Sequence, residues 1–197
     1  MEHQQELKVW VGEPKDVDDI MELATAACKE NGFVTPNPMR LLTEIWPALN
    51  RDKGIVGIVG VPGDKPHGAI LLRIGQLWYS DEPILEEKAV FISPAYRAAK
   101  GGRARKLCEF SKKVADELGM PLTIGILSNH RTEGKVRMYR RIFGQPAGAY
   151  FLYGSQTGAF VANSLSVAIT ANSTVNVNIT ANSLTLSTGL AATSGGT

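Results

Sequence analysis

A chain of 197 residues with 44% hydrophobic and 20% charged residues has the composition of a globular protein, and its length suits one domain with an additional segment. A formal net charge of +2 is too small to indicate by itself a protein that binds nucleic acid or membranes. No apolar run approaches the ~18 residues of a membrane span and no basic and apolar leader opens the chain, so we expect a product kept in a reducing cytoplasm. Cys28 and Cys108 lie among apolar residues in helix-like patterns, which favours two buried thiols over a disulfide.

Predicted strands and helices follow one another in a mixed order along residues 1–153. The strands are apolar runs, several of them alternating, that end at Gly, Pro or Asn, and the helices repeat apolar residues at helical spacing. Pro47 is expected to bend or end the second helix. This order implies a mixed α/β fold, with a mixed sheet and helices on both faces. In chain order, the predicted elements are a strand at 7–11, helices at 14–31 and 37–50, strands at 54–61, 68–80 and 88–93, a helix at 103–119, a strand at 121–127, a helix at 132–144 and a strand at 148–154.

The segment "SPAYRAAKGGRARKLCEF", residues 93–110, places five basic residues and two adjacent glycines between an apolar strand and a helix. The first N–H groups of a helix lack helical partners, and the helix dipole is positive at that end. Glycine lets the backbone approach a phosphate, and Arg and Lys add charge-assisted hydrogen bonds. The segment therefore predicts an anion-binding turn. The alternative that the residues leave open is a solvated basic helix start, with or without a nucleic-acid contact.

From about Leu7 to Tyr153, the sequence resembles the GCN5-related N-acetyltransferases, the GNAT family. "AVFIS" and "PAYR" match the strand and the Pro-x-Tyr-Arg-like step that precede the family's pyrophosphate-binding turn, and "RAAKGGRA" matches the turn itself. Ala99 stands where the family has Arg or Gln, and Arg97 lies two residues too early. The resemblance implies a GNAT-type sheet, acetyl-CoA as co-substrate and no metal. The residues it assigns to the diphosphate are Arg97, Lys100, Gly101, Gly102, Arg103, Ala104 and Arg105.

The same resemblance implies two roles for the strand before this turn. The backbone of Phe91, Ile92 and Ser93 would hold the cofactor arm and bond the thioester oxygen, as an oxyanion hole does. A glutamate near the start of the strand would act as general base. We assign this role to Glu87, with Glu86 as its neighbour; a solvated pair at the strand end is the alternative.

"LSNHRTEGKVRMYRRIFG" matches the family's next signal. The resemblance implies that Asn129 contacts the cofactor and that Tyr139 protonates the leaving thiolate, although the two are ten residues apart, a wider spacing than the family's. The alternative for Tyr139 is a helix tyrosine with its ring in the core. The three histidines show no metal-ligand spacing, and no Ser-His-Asp or Cys-His signature is present.

No Asp, Glu, Lys, Arg or His follows Arg141, and residues 154–197, which carry no ionisable side chain, are rich in Ser, Thr, Asn and Ala. Ala-Asn-Ser triplets recur in this segment, and apolar residues alternate with polar ones between them. The pattern predicts a small all-β appendage, separate from a domain at 1–153; a disordered linker is the alternative. Because short uncharged strands bury little and expose bare edges, we expect residues 159–190 to self-associate or to bind a partner.

"SNHRTEGKVRMYRR", followed by "GAYFLY", resembles GNAT proteins of tailed bacteriophages, and the uncharged repeats resemble phage attachment and fibre segments. This resemblance implies an N-acetyltransferase anchored to a phage capsid or tail protein, present in the host cytoplasm and in the virion. Its acceptor would be the amine of a small molecule or a protein. The alternative is a catalytically inactive structural or decoration protein of the particle. No membrane is expected, and no recognition motif supports nucleic-acid binding.

Overall fold

A mixed sheet in the order β1-β2-β3-β4-β5 organises the computed structural model, which describes residues 6–97, 101–128 and 132–148. Strands β1 to β4 run antiparallel to their neighbours, whereas β5 runs parallel to β4. The strands are β1 Lys8–Val11, β2 Gly54–Gly60, β3 Gly68–Gln76, β4 Pro83–Ile92 and β5 Leu122–Thr123.

Four α-helices accompany this sheet in the described part of the chain, and their ends follow local capping rules. The side-chain oxygen of Asn37 accepts a hydrogen bond of 2.9 Å from the first turn of the second helix. Gly32 and Gly119 end the first and third helices in the left-handed conformation, with φ of 64° and 62°. The second helix ends two residues after Pro47. The helices are α1 Val17–Asn31, α2 Pro38–Leu49, α3 Arg103–Leu118 and α4 Thr132–Phe143, and short 3-10 turns lie at Pro14–Asp16 and Pro94–Tyr96.

Each face of the sheet carries its own hydrophobic cluster. Helices α1 and α2 cover one face, and α3 covers the other. The approach of α3 to β2 is close, since a Cβ added to Gly57 would lie 2.5 Å from the ring of Phe110. Helices therefore flank the sheet on both sides, and the predicted mixed α/β class is confirmed. The first cluster contains Ile20, Ile45, Ala48, Leu49, Val56, Ile58 and Ala69, and the second contains Val59, Ile70, Leu72, Leu85, Leu107, Val114 and Ala115.

Three strands differ from their predicted bounds by more than one residue. Strand β3 ends at Gln76 rather than at residue 80. Strand β4 begins at Pro83 rather than at residue 88, because its Glu-Glu-Lys stretch pairs with β3 through a bulge at Lys88. Strand β5 is only two residues long, where residues 121–127 had been expected. The predicted strand at 148–154 lies, apart from Gly148, outside the described residues, and so does the predicted appendage at 154–197. None of the helices described is long and apolar enough to cross a membrane.

Candidate functional site

Strands β4 and β5 are paired only at one end, which opens a cleft between them. Leu85 and Glu86 pair with β5, but the described chain after Thr123 forms no further ladder with β4. Glu87, the first residue beyond the pairing, accepts a hydrogen bond of 3.2 Å on Oε2 from the backbone N–H of Gly125. The Glu87 carboxylate thus bridges the two segments at the point where their ladder ends.

The bulge at Lys88 determines which glutamate faces the cleft. Glu87 is the register partner of Leu72, a core residue on the α3 side of the sheet, and partners across a ladder share a face. Glu86 lies on the opposite face, where its carboxylate pairs with Lys88 at 2.6 Å. Of the two predicted candidates for a general base, Glu87 is the one on the face of α3.

Burial raises the pKa of Glu87 to about 7, and the hydrogen bond from Gly125 opposes this shift. Removal from water disfavours the charged form of a carboxyl group more than one backbone N–H can compensate. At neutral pH the group is therefore divided between its acid and its carboxylate, which suits proton transfer.

Tyr139 and Cys108 meet close to this carboxyl group. Helix α4 supplies Tyr139, and Cys108 is a fully buried residue of α3. A hydrogen-bond interaction joins the phenol to the thiol. Burial, followed by the charge of Glu87, raises the pKa of Tyr139 far above its ordinary value, so the phenol keeps its proton. Burial also raises the pKa of Cys108 to about 12, which excludes a thiolate nucleophile at physiological pH.

The start of α3 forms the second part of the site. Gly102, with φ of 61°, is the residue before the helix, and Gly101 precedes it with φ of 118°. No side chain of the described residues caps this end, and no acidic residue lies in its first turn. Among the residues that the structure describes, no group therefore neutralises the positive end of the helix dipole at this turn, as an anion site requires.

One arginine of the predicted set is fixed at this turn. The Nε–H of Arg103 donates a hydrogen bond of 3.0 Å to Nδ1 of His67, and its guanidinium lies 5.4 Å from the ring centre of Tyr96. His67 was not predicted as part of any site. It lies in the β2–β3 turn, 36 residues before Arg103, and no local motif marks it.

Two other predicted arginines are paired elsewhere. Arg97 donates from Nη2 to Glu30 of α1 at 2.6 Å and from Nε to the carbonyl of Ile92 at 2.8 Å. Arg105 forms an exposed ion pair of 2.7 Å with Glu109, one turn along its own helix. The three arginines thus point into three different environments.

The remaining predicted residues lie at the end of β4, in the first turn of α3, or outside the described residues. Phe91 and Ile92 are the last residues of β4, and the Ser93 N–H donates a hydrogen bond of 3.0 Å to the carbonyl of His67. Ala104 lies in the first turn of α3. Lys100 and Asn129 lie outside the described residues. Within the described residues, no group of three or more His, Cys, Asp or Glu side chains could hold a metal ion.

No protein-family model matches this chain, and no curated protein matches it in sequence. Solved structures, in contrast, match this chain in fold. The chain is similar to the aminoglycoside N-acetyltransferase AAC(6')-Iy in complex with CoA, with a TM-score of 0.59, 13% identity, and coverage of 79% of this chain and 98% of that one.

Two further structures give the same result. An aminoglycoside acetyltransferase, meta-AAC0020, from an uncultured soil metagenomic sample, solved in complex with trehalose, has a TM-score of 0.55 at 16% identity and covers 76% of this chain and 97% of its own. A possible acetyltransferase from Clostridium difficile 630 has a TM-score of 0.55 at 17% identity, with the same coverage. Likeness at these identities establishes the fold: this chain has the GNAT acetyltransferase fold, as predicted.

Proposed function

We propose that the protein is an acetyl-CoA-dependent N-acetyltransferase whose reacting groups are Glu87 and Tyr139. One observation carries this proposal: a carboxyl group with a pKa near 7 lies beside a largely buried phenol that keeps its proton, at the opening between β4 and β5 of a GNAT fold. A base and an acid with separated pKa values are what acyl transfer to an amine needs.

The proposed chemistry assigns one proton to each group. The carboxylate of Glu87 accepts a proton from the acceptor ammonium, directly or through a water, and the free amine attacks the thioester carbonyl. As the C–S bond breaks, the Tyr139 hydroxyl donates its proton to the thiolate, and the second proton of the attacking nitrogen passes to the Tyr139 oxygen, which leaves a neutral amide, a thiol and a neutral phenol. The Ser93 N–H already donates to the carbonyl of His67 on the β3 side, and Phe91, two residues earlier, faces the same side. Ile92, which faces the other edge of β4, is therefore the better candidate for the donor to the thioester oxygen.

The start of α3 fits the diphosphate of the co-substrate. Two glycines with positive φ allow close backbone approach, the helix dipole is uncapped, and Arg103 lies in the first turn. The solved complex of AAC(6')-Iy with CoA supports this choice of co-substrate. The acceptor we propose is the amine of a small molecule or a protein.

Calorimetry with acetyl-CoA tests the proposal directly. We expect wild-type protein to bind, and Arg103→Glu to weaken binding at least tenfold, roughly the loss of one charge-assisted hydrogen bond plus a repulsion. Lys112→Glu is the matched control, since it makes the same charge change at an exposed position of the same helix, away from its start. Thiol release with a panel of amines would then identify the acceptor.

Absence of acetyl-CoA binding by the wild-type protein would contradict the enzyme and favour the alternative, an inactive structural or decoration protein. Equal binding by both charge variants would place the diphosphate elsewhere.

We further propose that residues 154–197 attach this enzyme to a larger assembly, a phage particle or further copies of the chain. The supporting observation is a segment with no ionisable side chain that follows a charged domain. Truncation after Gly154 should leave a soluble domain that no longer self-associates or co-sediments with particles. Light scattering coupled to size exclusion checks this. If the full chain and the truncated chain are both monomers and neither joins a particle, the proposal is wrong.

A further inference from the structure

His67 connects three elements that converge on the start of α3. Its backbone N–H donates a hydrogen bond of 2.9 Å to the carbonyl of Val59 in β2, and its carbonyl accepts one of 3.0 Å from Ser93 at the end of β4. The backbone of this residue is therefore held by two strands. The residue as a whole is only 6% exposed.

The imidazole of His67 holds the guanidinium of Arg103 from one side. The ring stacks on Tyr96, with 3.7 Å between ring centroids and 24° between ring planes. Nδ1 accepts the 3.0 Å hydrogen bond from Arg103 Nε, so in this state the ring carries no proton on Nδ1. Arg103 also lies over the ring of Tyr96. A buried acceptor and an aromatic face together fix the direction of one arginine.

The charges around His67 keep this acceptor available. Burial, followed by the charge of Arg103, lowers the pKa of His67, and Asp64 in the β2–β3 turn opposes the shift. Tyr96 is the titratable group stacked on the ring, and the nearby Lys65 is paired with Glu22 of α1. Because the folded pKa is lowered, the hydrogen bond is intact at neutral pH and is lost only as the pH falls through that lowered value.

We propose that His67 is a positioning residue for diphosphate binding, acting through Arg103. The inference rests on the proposed function, since it presumes that the start of α3 holds the diphosphate of acetyl-CoA. It goes further in assigning a role to a residue of the β2–β3 turn. Arg97 and Arg105, which pair with Glu30 and Glu109, have no such support at this turn among the described residues.

Two substitutions test the hydrogen-bond acceptor and the aromatic ring of His67 separately. His67→Phe keeps an aromatic ring on Tyr96 and removes the acceptor. His67→Asn removes the ring and can offer Oδ1 near the place of Nδ1, without titrating. We expect His67→Phe to weaken acetyl-CoA binding about tenfold, the value of one hydrogen bond to a charged group, and His67→Asn to retain most of the affinity.

The pH dependence of binding gives a readout that packing alone does not produce. Calorimetric titrations of wild type and His67→Asn from roughly pH 8 to pH 5 should diverge, because only the wild type loses its acceptor on protonation. The melting temperature of each variant serves as the control for folding.

Weaker binding by His67→Phe than by His67→Asn, together with a steeper loss of wild-type affinity in acid, supports the proposal. Equal affinity of wild type and His67→Phe, or parallel pH profiles, would overturn this inference and leave the proposed function intact. Wild-type protein that fails to bind acetyl-CoA would overturn both.

Discussion

The two parts of the candidate site treat charge in opposite ways. At the reacting end, Glu87, Cys108 and Tyr139 are withdrawn from water, and burial raises the pKa of each. At the start of α3, the site consists of glycine backbone, an uncapped helix end and cations.

This difference implies different sensitivities to mutation. Proton transfer between partly buried groups depends on single atoms whose interactions matter mainly along the reaction coordinate, so small changes there should lower turnover. Anion binding at a helix start depends on backbone shape and on summed charge, so changes there should lower affinity. The predictions that follow test this division, from the largest effect to the smallest.

Removal of the Tyr139 hydroxyl should have the largest effect. Tyr139→Phe keeps the ring and its edge-to-face contact with Phe143. It removes the proposed general acid, and we expect turnover to fall about 10²–10⁴-fold. Acetyl-CoA affinity should change little, because the hydroxyl is not at the diphosphate end. Steady-state kinetics with calorimetry measure both quantities, and wild-type turnover would exclude Tyr139 from the mechanism.

Glu87→Gln should lower activity and stabilise the fold. The wild-type rate at subsaturating substrate should rise with pH toward a pKa of about 7, since the carboxylate is the active form, and the variant should lose this dependence.

The effect on stability has the opposite sign. Because the folded pKa of Glu87 lies above its ordinary value, the folded state binds the proton more tightly than the unfolded chain, and stability falls as the pH rises from about 4.5 to about 7. We expect Gln to add about 1–2 kcal/mol to the free energy of unfolding above that range, discounted for the partial exposure of the group. Urea denaturation at acid and alkaline pH checks this, and a stability difference that does not change with pH would contradict it.

The third prediction compares the two ends of α3. Gly102 and Gly119 both adopt left-handed conformations, with φ of 61° and 62°, and a Cβ at either position has room. Valine at either site should therefore cost about 1–2 kcal/mol of stability through backbone strain. Only Gly102→Val should also weaken acetyl-CoA binding, by about tenfold or more, because it blocks the approach of the backbone to the diphosphate. If the two variants bind acetyl-CoA with equal affinity, the diphosphate does not bind at this turn.

The sequence predicted the fold well because its signals are local. Alternating apolar runs, the Asn37 cap and the glycines that end α1 and α3 act within a few residues of themselves. The errors lie where tertiary pairing decides the result. The bulge at Lys88 extends β4 beyond its predicted start, and the separation of β5 from β4 shortens β5 to two residues. The pattern of apolar residues in a strand does not specify the residue at which its pairing with the neighbouring strand ends.

The candidate site divides in the same way. Resemblance to a family pointed to Glu87, Tyr139 and the glycine turn, since these lie in recognisable motifs. It could not point to Cys108 or His67, whose partners lie on other elements of the fold. For the same reason, a run of basic residues could not reveal which of its members would be paired elsewhere.

We expect the smallest effect from substitution of Arg105, one of two arginines that the sequence does not distinguish. Arg105 pairs with Glu109 on an exposed helix surface, where its side chain is 71% accessible, whereas Arg103 is held by His67 and Tyr96 at the turn. Exposed pairs of this kind contribute about 0–1 kcal/mol, so Arg105→Ala should change unfolding free energy by no more than that and acetyl-CoA affinity by about threefold or less. Arg103→Ala should reduce affinity about tenfold, because a charged hydrogen-bond donor is lost from the turn. Calorimetry on the two variants at two salt concentrations makes the comparison, since a contribution from general surface charge fades with salt and a directed contact persists. If Arg105→Ala weakens binding as much as Arg103→Ala, affinity for the diphosphate depends on the total positive charge of the turn rather than on one oriented arginine. The proposed difference between the two arginines is then wrong.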